Sequence, residues 1–188
     1  LALAAAGGHH LLMVGPPGCG KTHLARQLPL LLPPLTTSES LTITRIHSVA
    51  GEFDTSEPLL HQRPFRCAHH SCSGAALLGG GHTPKPGEIS LAHGGVPFLD
   101  ELAEFPRRVL DLLRQPLEDG NVRLSRSRET TVFPAAVTLV AATNPCPCGW
   151  HGDSDQVCRC TSAQRQRYWQ RLSGPLLDRI DLQLRLER

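Results

Sequence analysis

The chain has few aromatic residues: Phe, Trp and Tyr make up 4% of its 188 residues. Trp150, Tyr168 and Trp169 are too few for a base-stacking platform, so local packing is their expected use. Long apolar runs are also missing, and none approaches the ~18–20 residues of a membrane span. Residues 1–6 are apolar but lack the basic flank and cleavage context of a signal peptide. No charge of one sign dominates. The formal net charge is +2, so bulk electrostatics announce no nucleic-acid partner and any basic site has to be local. Repeats and low-complexity tracts are absent. The chain lacks an initial methionine and ends on Glu187-Arg188 in a strand-like stretch, which suggests a piece of a longer protein.

What is present is a phosphate-loop pattern. Gly15-Pro16-Pro17-Gly18-Cys19-Gly20-Lys21-Thr22 fits G-x-x-x-x-G-K-[ST] and follows the apolar stretch Leu11-Leu12-Met13-Val14. Such a loop leaves a buried strand and enters a helix. Its glycines let backbone N–H groups close on an anion, and the helix N-terminus adds positive potential. Lys21 is placed to reach β- and γ-phosphates, and the Thr22 hydroxyl to ligate magnesium. The pattern predicts a nucleoside triphosphate site. Leu24, Leu28 and Leu31 then recur at helical spacing until Pro29, Pro33 and Pro34 end the helix.

Four further strands are expected, over 41–46, 96–99, 137–142 and 180–186. The short apolar runs over 96–99 and 137–142 suit central parallel strands covered on both faces, while 41–46 and 180–186 alternate. Between them, 106–118 reads as a helix with Val109, Leu110, Leu113 and Leu117 on one face, kinked or ended by Pro116. The alternation predicts a helix-sandwiched parallel sheet with the phosphate site after its first strand. Two stretches read as insertions in this single domain: a mobile loop around 79–93 and a β-hairpin over 121–134 carrying Arg123, Arg126 and Arg128.

The strand over 96–99 ends on Asp100-Glu101. Asp100 is suited to hold magnesium and Glu101 to polarise an attacking water; the alternative is an ordinary acidic turn. Pro97 cannot donate to a ladder and is expected at the strand's first residue. The next strand ends on Asn144, where an amide can orient a water between phosphate and base. Seven cysteines are an odd number, and a nucleotide enzyme works in a reducing compartment, which argues against a disulfide framework. A cytoplasmic location is expected. Cys146-x-Cys148 and Cys158-x-Cys160 form two close pairs in a loop, 146–160. They offer the donor set of a tetrahedral zinc site, the alternative being free thiols beside the nucleotide. Cys67, His69, His70 and Cys72 read as a loop entering a helix rather than as ligands. His9-His10 is a weaker candidate for an adenine contact.

These motifs together resemble an AAA+ ATPase of the magnesium-chelatase-like branch, and within it the ComM (YifB-type) family. The resemblance rests on the phosphate loop and on the run from Pro86-Gly87-Glu88 to Asp100-Glu101. It rests also on Leu113-Arg114-Gln115-Pro116-Leu117-Glu118, Asn144-Pro145-Cys146-Pro147-Cys148-Gly149 and Leu176-Leu177-Asp178-Arg179-Ile180-Asp181. It implies a P-loop NTPase αβα sandwich with a five-stranded parallel sheet in the order 5-1-4-3-2 and no helical lid within these residues. It also implies ATP and Mg2+ as ligands and a homo-oligomeric ring, a hexamer, acting on DNA without a membrane. Lys21 and Thr22 take the Walker A roles, Asp100 and Glu101 the Walker B roles, and Asn144 that of γ-phosphate sensor. Arg179 matches the arginine finger that completes a neighbour's site; the alternative is an ion pair with Asp178 or Asp181. Both insertions become loops facing a central pore, where the hairpin arginines track DNA phosphates or form a solvated face. DNA branch migration is the implied work. A magnesium-chelatase motor subunit and a nucleotide-gated scaffold with little turnover are the alternatives. Cys19, Cys67 and Pro97 depart from the family's usual residues.

Overall fold

The computed structural model describes residues 1–188 except 54–57, 126–129 and 173. In chain order the elements are α1 (Ala2–Gly7), β1 (Leu11–Val14), α2 (Lys21–Leu31), α3 (Thr37–Ala50), β2 (Phe65–Ala68), α4 (Gly74–Leu78), β3 (Gly79–Gly80), β4 (Lys85–Pro86), α5 (Glu88–Leu91) and β5 (Val96–Leu99). After a 3-10 turn, Leu102–Glu104, come α6 (Arg107–Asp111), α7 (Arg114–Asp119), β6 (Asn121–Ser125), β7 (Thr130–Pro134), β8 (Val140–Thr143), α8 (Ser162–Trp169), α9 (Gly174–Leu177) and β9 (Leu182–Arg185).

Five strands pair in parallel in the order β2-β5-β8-β1-β9. Numbered among themselves this is 2-3-4-1-5, the expected order read from the other edge. Successive side chains of a strand point to opposite faces, and the core divides accordingly. Leu12, Leu99 and Ala141 pack on one side with Leu102, Leu110, Leu113 and Leu176. Leu11, Met13, Phe98, Val140 and Ala142 pack on the other with Ala4, Ala25 and Leu28. Burying such a side chain contributes about 1.5–3 kcal/mol, so two covered faces make this sheet the rigid base of the molecule.

The second strand is a correction. Residues 41–46 alternate Leu-Thr-Ile-Thr as a strand would, yet they lie in α3. Thr36 and Glu39 form a reciprocal capping box there: the Glu39 N–H donates to Thr36 Oγ1 at 3.2 Å, and the Thr36 N–H donates to Glu39 Oε2 at 2.8 Å. Burial falls on Ser40, Ile43, Thr44 and His47, three or four residues apart, which is helical spacing. The strand is instead β2, whose Phe65-Arg66-Cys67-Ala68 carries no clear period.

Three proline expectations also change. Pro97 is the second residue of β5, not the first. Val96 donates to Pro64 O on the β2 side, so the nitrogen of Pro97 faces β8, whose pairing with β5 starts only at Phe98. The expected helix 106–118 is two helices. A proline ring clashes with the carbonyl four residues earlier, and for Pro116 that is Leu112, where the break falls; Pro116 itself sits in the first turn of α7. Pro29 lies inside α2, which continues to Leu31. The stretch 79–93, expected as an irregular loop, holds the antiparallel β3–β4 pair and α5. β6 and β7 pair from Asn121↔Pro134 to Ser125↔Thr130. Among the described residues no helix follows β9, and no helix is long and apolar enough to cross a membrane.

Candidate functional site

The site lies where β1, β5 and β8 end. The loop after β1 runs straight into α2, whose N-cap Gly20 has φ 86°, a left-handed conformation that a side chain would strain. Gly15 is needed for a different reason. A Cβ there would stand 2.7 Å from Cys19 Sγ and 3.0 Å from Leu186 O, so the loop and the strand below it fit only around glycine.

Lys21 projects back over this loop. Its Nζ donates to Gly15 O at 2.7 Å, Pro16 O at 2.9 Å and Asn144 Oδ1 at 3.2 Å, with Cys19 Sγ at 3.8 Å. The ammonium is therefore held between the phosphate loop and the tip of β8. At the end of β5, Asp100 Oδ2 accepts from the Thr22 hydroxyl of α2 at 3.2 Å, and Asp100 Oδ1 accepts from the Glu101 N–H at 2.9 Å. Pro17, Gly18, Gly20, Lys21, Thr22, His23, Asp100, Glu101 and Asn144 line one cleft of about 400 Å³. A hydroxyl and a carboxylate converging this closely are hard oxygen donors, few in number. They suit Mg2+, which keeps several of its waters and takes one or two protein oxygens.

Glu101 has φ 54° and is the one non-glycine residue with positive φ among the described residues. That conformation costs about 1–2 kcal/mol and is of the strained kind that gathers at functional sites. Its side chain meets a residue that sequence reasoning passed over. His70 Nδ1 lies 2.9 Å from Glu101 Oε2, yet this nitrogen is shielded and out of line for a hydrogen bond. The contact is a charge pair that forms when the ring is protonated. With side chains 34% and 47% exposed, solvent screens it. The His69 ring lies tilted against His70, with 3.9 Å between centroids. A signal existed in strand register: once Ala68 pairs with Leu99, the residues just beyond them, His69-His70 and Asp100-Glu101, have to be neighbours.

Other expected positions lie elsewhere. Arg179 is outside the cleft and grips Glu118 through Nε, at 2.7 Å, and Nη2; its partner is neither Asp178 nor Asp181. Asp181 instead accepts from the His10 N–H at 2.9 Å. The His10 ring accepts from the Leu139 N–H at 3.1 Å, which gives it a structural partner. Burial holds His10 below the ordinary histidine value, against the pull of Asp181. Arg123 is exposed on β6, while Arg126 and Arg128 lie outside the described residues. Cys146, Cys148, Cys158 and Cys160 converge, with all four sulfurs within 4.8 Å of one another. Burial pushes the Cys146 thiol up to about 12. At Cys148 burial is outweighed by the peptide N–H groups of Trp150 and Arg159, which bring that thiol down to about 6.

This arrangement of loop, acidic strand tip and amide strand tip agrees with the family comparison. Residues 1–188 match the family model described as magnesium chelatase, subunit ChlI. The chain belongs to that family. Within it the chain is of the ComM/YifB type, a magnesium-chelatase-like AAA+ protein. It is 52% identical over 186 residues to YifB of Escherichia coli, covering 99% of this chain and 36% of that protein. It is 51% identical over 187 residues to the competence protein ComM of Haemophilus influenzae, covering 98% and 36%. The chain thus spans little more than a third of the curated relatives it matches. The ADP complex of NtrX from Brucella abortus superposes with a TM-score of 0.60 at 18% identity, over 99% of this chain and 33% of that one. At that identity the likeness concerns the AAA+ P-loop fold alone.

Proposed function

We propose that this chain is the ATP-binding and ATP-hydrolysing core of a ring-forming motor. The observation that carries the reading is the meeting of Lys21, Thr22, Asp100, Glu101 and Asn144 in one cleft from three separate strand ends. In this reading the backbone N–H groups of 16–22 and the Lys21 ammonium bind the β- and γ-phosphates. Thr22 and Asp100 hold Mg2+, which when bound neutralises charge on the phosphates. Glu101 takes a proton from the attacking water as its oxygen bonds the γ-phosphorus. The bond to the bridging oxygen breaks, giving ADP and phosphate. Asn144, tied to Lys21, orients that water and responds to the γ-phosphate. Arg179 of a neighbouring subunit supplies positive charge to the γ-phosphoryl oxygens, and to do so leaves Glu118.

DNA is the proposed substrate of the motor, and branch migration the proposed work. High identity to a competence protein supports this, as does the exposed Arg123 on the β6–β7 ribbon. The second reading is a chelatase motor that inserts metal into a porphyrin; that the family is described as a magnesium chelatase subunit supports it. A nucleotide-gated scaffold with little turnover is less well supported, because binding alone requires neither Glu101 nor Asn144. The test compares ATPase of the full-length protein with and without branched DNA. Branched DNA is expected to raise turnover, neutralising Arg123, Arg126 and Arg128 together to remove that rise, and Lys21→Ala to abolish ATP binding. Stimulation that survives the triple change would remove the hairpin from the DNA path. Porphyrin metallation with no response to DNA would establish the second reading instead.

A further inference from the structure

The loop between β8 and α8 poses a folding problem. Residues 146–160 form no helix or strand, and from 151 to 160 none is fully buried. Val157 is 84% exposed. Ordering a backbone costs about 1–2 kcal/mol per residue, and this loop has almost no apolar core to offset that. It is nonetheless folded back on itself. The Gly149 N–H donates to Cys146 O at 2.9 Å in a tight turn around the first thiol pair. The Asp153 carboxylate accepts from the Asp155 and Gln156 N–H groups at 2.9 and 2.8 Å. This fold brings the second thiol pair onto the first.

The sulfur geometry identifies what fits between them. Cys146 and Cys148 are 3.4 Å apart, and each lies 3.7 Å from Cys158. Four sulfurs bound tetrahedrally at about 2.3 Å from one zinc stand about 3.8 Å from each other. The observed spacing matches that tetrahedron. It is far longer than the ~2.05 Å of a disulfide and too short to surround a multinuclear iron–sulfur cluster. All four sulfurs lie within 4.8 Å of one another, so one ion can touch them all.

We propose that Cys146, Cys148, Cys158 and Cys160 bind one structural zinc ion, and that this metal knuckle positions one wall of the nucleotide cleft. Asn144 lies two residues before Cys146. On the other side, a Cβ at Gly149 would stand 2.7 Å from Pro17 Cδ, so the knuckle packs on the phosphate loop. Trp169 Nε1 donates to Pro145 O at 3.1 Å and anchors the hinge between Asn144 and the knuckle. The positioning half of the proposal rests on the ATP reading; the metal site does not.

The deciding measurement is metal analysis of the full-length protein purified without chelator. About one zinc per chain is expected, and less than about 0.2 overturns the site. Iron in place of zinc, or disulfides between these cysteines, also overturns it. The parent protein gives this result, so no variant has to fold. Cys148→Ser and Cys158→Ser, one from each pair, are each expected to lose the metal; full retention by both would assign the zinc elsewhere and overturn the site. Stripped and reloaded parent protein then separates the two halves. ATP affinity is expected to fall several-fold on stripping and to return with zinc. Unchanged affinity on a zinc-binding protein refutes the positioning role and leaves the metal site standing.

Discussion

Lys21 reaches the cleft already bound to three oxygens, and Asn144 supplies one of them. This bond joins the phosphate loop to the β8 tip, so a group that draws Lys21 away also frees the amide. Protonation acts on two other residues. His93 Nδ1 accepts from the Ala136 N–H at 3.1 Å, as His10 Nδ1 does from Leu139. Burial lowers both histidines below their ordinary value of 6.5. Above that value both are neutral in the folded and the unfolded chain. As pH falls below it, the unfolded chain takes up protons first and stability drops; the loss is complete once the folded values are passed. Chemical denaturation near pH 7.5 and pH 5.5 should therefore show less stability at the lower pH. His93→Gln, which keeps an acceptor but does not titrate, should flatten part of that slope. An unchanged slope would show that His93 is not titrating as described.

Most of the elements that carry the site were legible, for a physical reason. β1, β5 and β8 are short apolar runs, β9 alternates as Leu-Gln-Leu-Arg, and Asp100, Glu101 and Asn144 stand just past the ends of β5 and β8. α3 and β2 were not legible by period. Thr and Ile alternating over 41–46 mimic a strand, while the T-x-x-E signature at Thr36-Thr37-Ser38-Glu39 was the overriding local signal. Removing that cap tests its weight. Thr36→Ala should lower stability by about 1 kcal/mol, read from the urea midpoint at constant slope. A change below about 0.3 kcal/mol would mean that tertiary packing of Ile43 and His47 holds the helix without its cap. His70 and the Arg179–Glu118 pair stayed hidden because both depend on contacts distant in sequence. His70 meets Glu101 only through the β2–β5 register. Glu118 lies 61 positions before Arg179.

At the scale of the whole molecule, Arg179 does not line the cleft and is paired with Glu118, and the role proposed for it is in a site shared between subunits. Arg179→Ala should leave ATP binding by a single subunit unchanged and lower turnover of the assembly by about 10³-fold. Mixing that variant with Lys21→Ala subunits should restore part of the turnover, because one partner keeps the phosphate loop and the other the arginine. Absence of restoration, with assembly confirmed, would return Arg179 to a structural ion pair with Glu118.

In the proposed reaction the cleft of Lys21, Thr22, Asp100, Glu101 and Asn144 hydrolyses ATP with Glu101 as base. Glu101→Gln keeps the shape of the side chain and removes its basicity, so it isolates that role. In the full-length protein, ATP affinity and phosphate release should be measured side by side for parent and variant. Affinity should stay within a few-fold of the parent, and phosphate release should be at least about 100-fold slower. Phosphate release as fast as the parent's would contradict Glu101 as base.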